Sequence, residues 1–208
     1  MLTTLANWLT ETIFQLGYPG VALLMAVESS FIPFPSELVM PPAGYLAAQG
    51  RMNAVAALVA GVAGSVLGAL VNYLLAQRLG RPLLYRYHRY LLMSQASLER
   101  SEAFFRRHGE IGTLVGRLVP VVRQLVSLPA GLAHMRLDRF VAYTAAGSAA
   151  WCAVLTWIGW YIGQHMGTLE PEVVQRYSTR ASLILLPLIA VVITVYVIRR
   201  RRQARSGA

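Results

Sequence analysis

The sequence predicts an all-α integral membrane protein organised as an inverted-topology repeat. Each unit is expected to be a re-entrant broken-helix hairpin plus a transmembrane helix, with an N-terminal interfacial helix before the pair and an extra C-terminal transmembrane helix after it. Three observations lead there. The 208 residues are 56% hydrophobic and only 13% charged, whereas ordinary soluble domains carry about 25% charged residues. Residues 52–77 and 140–164 hold no charge at all, and each run exceeds the about 20 residues needed to span a bilayer. Finally, two proline-rich stretches match at a spacing of 87 residues: Pro33 with Pro120, Leu38-Val39 with Leu125-Val126, and Pro42-Ala43-Gly44 with Pro129-Ala130-Gly131. Gln77 with Gln164 and Gly80 with Gly167 continue the match, so the repeated unit includes the long apolar run.

The elements follow in order. Residues 1–16 place Leu2, Leu5, Leu9, Ile13 and Leu16 at helical spacing, an interfacial helix rather than a signal peptide, since no basic start precedes it. Gly17-Tyr18-Pro19-Gly20 reads as a turn. Repeat 1 covers 21–80. Its stretch 21–50 is apolar yet carries Pro33, Pro35, Pro41, Pro42 and Gly44, too many prolines for one regular spanning helix, so a re-entrant hairpin is expected there. Such backbone is tolerated at membrane depth only inside protein or beside a wet cavity. The run 52–77 is a transmembrane helix whose Gly61, Gly64 and Gly68 suit close helix packing.

Residues 81–110 form an arginine-rich segment, cytoplasmic by the positive-inside rule. Leu98, Phe104 and Phe105 make part of it amphipathic, which fits a membrane-surface helix or a core-covering one equally well. Repeat 2 covers 111–167, with a re-entrant stretch at 111–135 broken by Gly116, Pro120, Pro129 and Gly131, and a span at 140–164. A last apolar run, 181–198, precedes a basic tail at 199–208 that contains Arg199 to Arg202. If the arginine-rich segment and the C-terminus both face the cytoplasm, the second hairpin enters from that side and the first from the other. Inverted repeats with broken helices meeting near the midplane are a transporter architecture.

The net charge of +10 comes from 19 basic residues, all arginine. They flank apolar runs, which points to topology and anionic headgroups rather than nucleic acid. Cys152 stands alone, so no disulfide or cysteine metal site is expected. His88, His108, His134 and His165 are scattered, with no nucleophile and base spacing and no ligand spacing for a metal. No cofactor and no enzymatic activity are therefore expected.

The candidate site is the set of charges in the hairpins, because a charge at bilayer depth costs about 2.5 to 3.5 kcal/mol and rarely persists without a partner or a task. At the repeat spacing Arg117 aligns with Ser30 and Arg123 with Ser36, while Glu28 and Glu37 align with Val115 and Gln124. One hairpin brings acids and the other brings bases. In an unbroken helix the arginines would point about 120° apart and the acids about 180°, so only the breaks let each pair converge. The arginine fork matches phosphate geometry and keeps its charge in lipid. Carboxylates balanced between burial and nearby arginine are candidates for proton coupling. The same four charges also suit buried ion pairs that merely fasten the hairpins together. Asn72, His134, Ser30 and Ser36 are secondary candidates to line the site.

At these residues the chain resembles the DedA family, the VTT-domain membrane proteins. The motif Gly116-Arg117-x-x-Pro120-x-x-Arg123, followed by Ala130-Gly131, Met135 and Phe140, carries the resemblance together with the upstream stretch from Glu28 to Glu37. The resemblance implies a bacterial inner-membrane transporter with a cytoplasmic C-terminus. It would move undecaprenyl phosphate, or a related polyprenyl phosphate or other anionic lipid, from outer to inner leaflet with protons or another coupling cation. Arg117 and Arg123 would then bind phosphate, and Glu28 and Glu37 would couple protons. The alternatives are a proton-coupled exporter of small cations or drugs and, less well supported, a membrane lipid phosphatase. Whether the chain forms a homo-oligomer is left open.

Overall fold

A computed structural model describes residues 2–30, 36–87, 95–119, 122–166, 172–181, 183 and 187, and among them every regular element is a helix. Helix α1 runs Leu2–Glu28 but is broken by Gly17 at φ 61, a left-handed conformation that glycine adopts without strain. The break falls where the interfacial segment was expected to end. Pro19 then sits in the first turn of the second arm, where a missing N–H costs nothing. A 3-10 turn at Ser36–Leu38 leads into α2, Met40–Ala48.

Helix α3 covers Ala54–Tyr87 with a second left-handed glycine, Gly80, inside it. The Asn53 side chain starts α3 by accepting hydrogen bonds from the Val55 and Ala56 N–H groups, the usual service of an N-cap. Helix α4, Gln95–Leu118, is interrupted at His108. The one-turn helix α5, Val122–Leu125, and the short α6, Ser127–Leu132, follow. Helix α7 spans Leu137–His165, and residues 172–181 are helical again.

Among the described residues, two helices are long and apolar enough to cross a membrane: Ala54–Gly80, with mean hydropathy 2.3, and Leu137–His165, with 1.4. At about 1.5 Å per residue they measure about 40 Å and 44 Å, beyond the about 30 Å hydrocarbon core. They contain the predicted spans 52–77 and 140–164 nearly whole. On α3, Val55, Val59, Leu67 and Val71 are exposed and recur every one or two turns, an apolar stripe suited to lipid.

Each short helix packs on the long helix of the other half: α2 lies against α7, and α6 against α3. Helices α1 and α4 instead lie against the long helix of their own half, α3 and α7. The repeated Pro-Ala-Gly supplies the close approach. A methyl on Gly44 would run into the Thr156 carbonyl and the Trp160 nitrogen, and one on Gly131 into the Tyr73 carbonyl. Tyr73 and Trp160 are themselves 87 residues apart. The short helices also end alike. Gln49, Gly50 and Arg51 N–H groups bond Tyr45, Ala47 and Leu46 carbonyls, and Ala133, His134 and Met135 repeat the pattern with Pro129, Gly131 and Ala130. Gly50 and His134 take the same left-handed backbone, at φ 71 and φ 50.

Several expected breaks prove to be helix residues. Pro42 stands in the first turn of α2, where proline needs no partner for its nitrogen, and Pro129 and Gly131 lie inside α6. Gly44 is within α2 and Gly116 within α4. Their role is close packing. Pro33, Pro35 and Pro120 lie outside the described residues, as do nearly all of the expected C-terminal span at 181–198 and the whole tail at 199–208. The arginine-rich segment at 81–110, read from the sequence as in part an amphipathic helix, is largely helical where described. Phe105 buries itself against Tyr73 and Phe140 while Phe104 stays exposed, so this face covers the core as well as meeting the surroundings.

Candidate functional site

The four predicted charges come from four different places. Glu28 is the last residue of α1, Glu37 lies in the 3-10 turn, Arg117 is in the last turn of α4, and Arg123 is in α5. Gly116 explains how the two arginines come together. Its bare Cα leaves room for the Val126 side chain, which a methyl there would overlap, so the chain doubles back between α4 and α6. The divergence an unbroken helix would impose is thereby removed.

Arg123 is held by both acids. Its Nη2 lies 3.2 Å from Glu28 Oε1 and 3.4 Å from Glu37 Oε2, and its guanidinium sits 5.3 Å over the Trp151 ring, within cation–π range. Ser29 donates a hydrogen bond to the other Glu28 oxygen at 2.8 Å. Arg117 is different. It is only 3% exposed, donates from Nη2 to Ser127 Oγ at 2.9 Å, and makes no ion pair among the described residues. Among the described residues, the Nε of Arg117 and the Nε and Nη1 of Arg123 are buried donors without an acceptor. Unsatisfied buried donors on a cation are costly and mark where an anion would be welcome.

Arg117, Arg123 and Glu28 share a small cavity with Trp151 and Cys152. Ser29, Ser36, Ser65 and Ser148, with Met25, complete its wall. Its free volume of about 10 Å³ is room for roughly one water. A phosphate group does not fit without an opening of the surrounding segments. Glu37 reaches the site through Arg123 rather than by lining the cavity.

The secondary candidates divide. Ser36 lines the cavity and accepts a hydrogen bond from Trp151 Nε1 at 3.2 Å. Asn72 is buried beside the site and braces it, donating to the Ser29 carbonyl at 3.2 Å. Ser30 turns its hydroxyl back onto the Val27 carbonyl at 2.6 Å. His134 is exposed at the end of α6, 3.5 Å from Gln77, and does not face the cavity. The exposed pairs Arg139 with Glu110 and Arg136 with Asp138 lie apart from it. Sequence reasoning passed over Trp151, Cys152, Ser65 and Ser148. The two serines had a signal, being polar residues inside uncharged spans. The indole had none, because aromatic residues in a span are usually packing.

Among the described residues, helices alone, two of them long and apolar, surround buried Arg117, Arg123 and Glu28 with partly buried Glu37 beside them, and this defines the class: a polytopic membrane protein with an occluded polar site. The chain belongs to the VTT-domain family, also called DedA, whose model matches residues 34–161. It is 29% identical over 204 residues to undecaprenyl phosphate transporter A of Bacillus subtilis, covering 98% of this chain and 96% of that one. It is 30% identical over 200 residues to the uncharacterized membrane protein YkoX of the same organism, covering 96% and 86%. An alkaline phosphatase-like protein of Lactococcus lactis is 29% identical over 195 residues, covering 91% of each chain. No solved structure matches.

Proposed function

We propose that the protein carries undecaprenyl phosphate, or a related polyprenyl phosphate, from the outer to the inner leaflet of the bacterial cytoplasmic membrane, with inward proton movement as the driving force. The observation that carries this reading is Arg117, a buried guanidinium beside a serine-rich cavity and a second arginine, where among the described residues Arg117 has no ion-pair partner and two donors of Arg123 have no acceptor. The name of the Bacillus relative supports the cargo. In the mechanism, phosphate docks on Arg117 and competes with Glu28 and Glu37 for Arg123. Protonation of the displaced acids lets them leave the guanidinium without stranding negative charge in a low-dielectric interior.

Short arms support the re-entrant arrangement behind this cycle. The second arm of α1, from Tyr18 to Glu28, measures about 17 Å, and α2 about 14 Å. Beyond His108, α4 reaches about 15 Å. None crosses an about 30 Å core alone. Two half-depth hairpins entering from opposite faces would meet at the charge cluster, and exchanging which one opens would give alternating access.

The test is leaflet-resolved polyprenyl phosphate in proteoliposomes with an imposed proton gradient. The parent protein is expected to clear lipid phosphate from the outer leaflet, and Arg117→Ala to abolish clearance. Glu28→Gln should leave a rate that no longer responds to the gradient. Parent-rate clearance by folded Arg117→Ala protein overturns the assignment. The phosphatase-like name of the Lactococcus relative gives the second readout: release of inorganic phosphate from the lipid by purified protein would replace transport with hydrolysis.

A further inference from the structure

We propose that Gly147 and Trp151, one turn apart on α7, are positioning residues that set the separation of the two guanidinium groups and thereby the grip on a phosphate headgroup. This rests on the anion-site reading above.

Arg117 and Arg123 lie on separate helices, α4 and α5, and α5 is only four residues long. Two separate helices do not by themselves hold two forks in register, yet bidentate recognition of a tetrahedral anion requires it. Helix α7 is the rigid body that touches both. The space where Gly147 lacks a side chain is occupied by the stem of Arg117: an added methyl would stand 2.6 Å from Arg117 Cβ and 3.0 Å from the Leu114 carbonyl. One turn on, about 6 Å along the axis, the Trp151 ring lies 5.3 Å beneath the Arg123 guanidinium. Its Nε1 donates at 3.2 Å to Ser36 Oγ in the first hairpin. The indole is 2% exposed, so its orientation is dictated by packing. Trp151 thus ties Arg123, the first hairpin and α7 into one frame, and Gly147 seats Arg117 on the same rail.

The experiment is binding of polyprenyl phosphate to the full chain in detergent, with the polyprenyl alcohol as control. Trp151→Phe keeps a ring under Arg123 but loses the N–H; its affinity is expected to fall about 3- to 10-fold. Trp151→Leu loses the ring as well and should fall further, about 10- to 100-fold. Ser36→Ala removes the same hydrogen bond from the other end, so the Ser36→Ala and Trp151→Phe double variant should be no more than about 2-fold weaker than the worse single one. Gly147→Ala is expected to weaken binding about 10-fold through Arg117. A merely structural indole predicts unchanged affinity in folded variants, or losses that multiply, and either result overturns the inference while leaving the anion site intact. In protein whose other tryptophans, Trp8, Trp157 and Trp160, are changed to Phe, Trp151 emission should shift saturably with the phosphate and not with the alcohol. A parent protein that does not prefer the phosphate over the alcohol overturns the anion-site reading and this inference with it.

Discussion

Arg117→Ala and Arg123→Ala should have unequal consequences for stability although both abolish lipid phosphate binding. Arg123 neutralises Glu28 and Glu37 at 3.2 Å and 3.4 Å. Deleting it strands two carboxylates in a site where their side chains are only 3% and 14% exposed. Breaking a buried pair by removing one partner costs about 3 to 5 kcal/mol. Glu37, the more accessible acid, can recover some hydration, which places the loss near about 3 kcal/mol. Removing Arg117 instead sacrifices one hydrogen bond to Ser127, worth about 1.5 to 3 kcal/mol for a charged donor. It also relieves a desolvated cation that has no ion-pair partner among the described residues, a penalty of several kcal/mol. The two contributions oppose each other, and the net change should lie within about 1 kcal/mol of zero. The assay is reversible unfolding in detergent followed by circular dichroism, beside polyprenyl phosphate binding on the same samples. Adding Glu28→Gln and Glu37→Gln to Arg123→Ala should restore most of the lost stability, since neutral side chains no longer need the guanidinium. Equal destabilisation by the two arginine variants, or no rescue by the glutamines, would refute the division of labour.

Other predictions address the frame around the site. Gly44→Ala and Gly159→Ala each drive a methyl into a backbone carbonyl across the α2–α7 contact, so each should cost about 1 to 3 kcal/mol by overpacking, read as a lower midpoint in thermal unfolding. His134→Gly should raise stability by about 1 kcal/mol, because an exposed residue at φ 50 pays for a left-handed backbone that glycine adopts freely. A loss of transport in that variant would instead give the histidine the part in the site that the sequence suggested. Glu110→Gln weakens contacts to Arg139 and Tyr143. Both arginine and acid are well exposed, and the unfolding midpoint should therefore move by less than the equivalent of about 1 kcal/mol.

Membrane character, the two long helices and the identity of the four charged residues could be read from the sequence. Each is written in local composition: absence of charge over a span's length, and presence of charge where apolar residues should be. The repeat was equally legible, because Pro-Ala-Gly recurs at one spacing. Its meaning was not. The prolines looked like breaks, but Pro42 opens a helix and Pro129 lies inside one, and the glycines turned out to be seats for the opposite half's backbone. Only packing shows which carbonyl a missing side chain accommodates.

The arginines make the same point about the site. Nothing in the residues 112–135 distinguishes Arg117 from Arg123, and symmetry of motif would give them equal parts. Their difference arises from neighbours distant in the chain: Glu28 and Glu37 close on Arg123 from the other half, and Trp151 slides beneath it from α7. Residue type determines which charges must be sheltered from lipid, since that cost belongs to each side chain alone. Which arginine makes ion pairs among the described residues and which does not depends on distances of 3 to 4 Å between segments about ninety residues apart, and those distances exist only once the helices have packed.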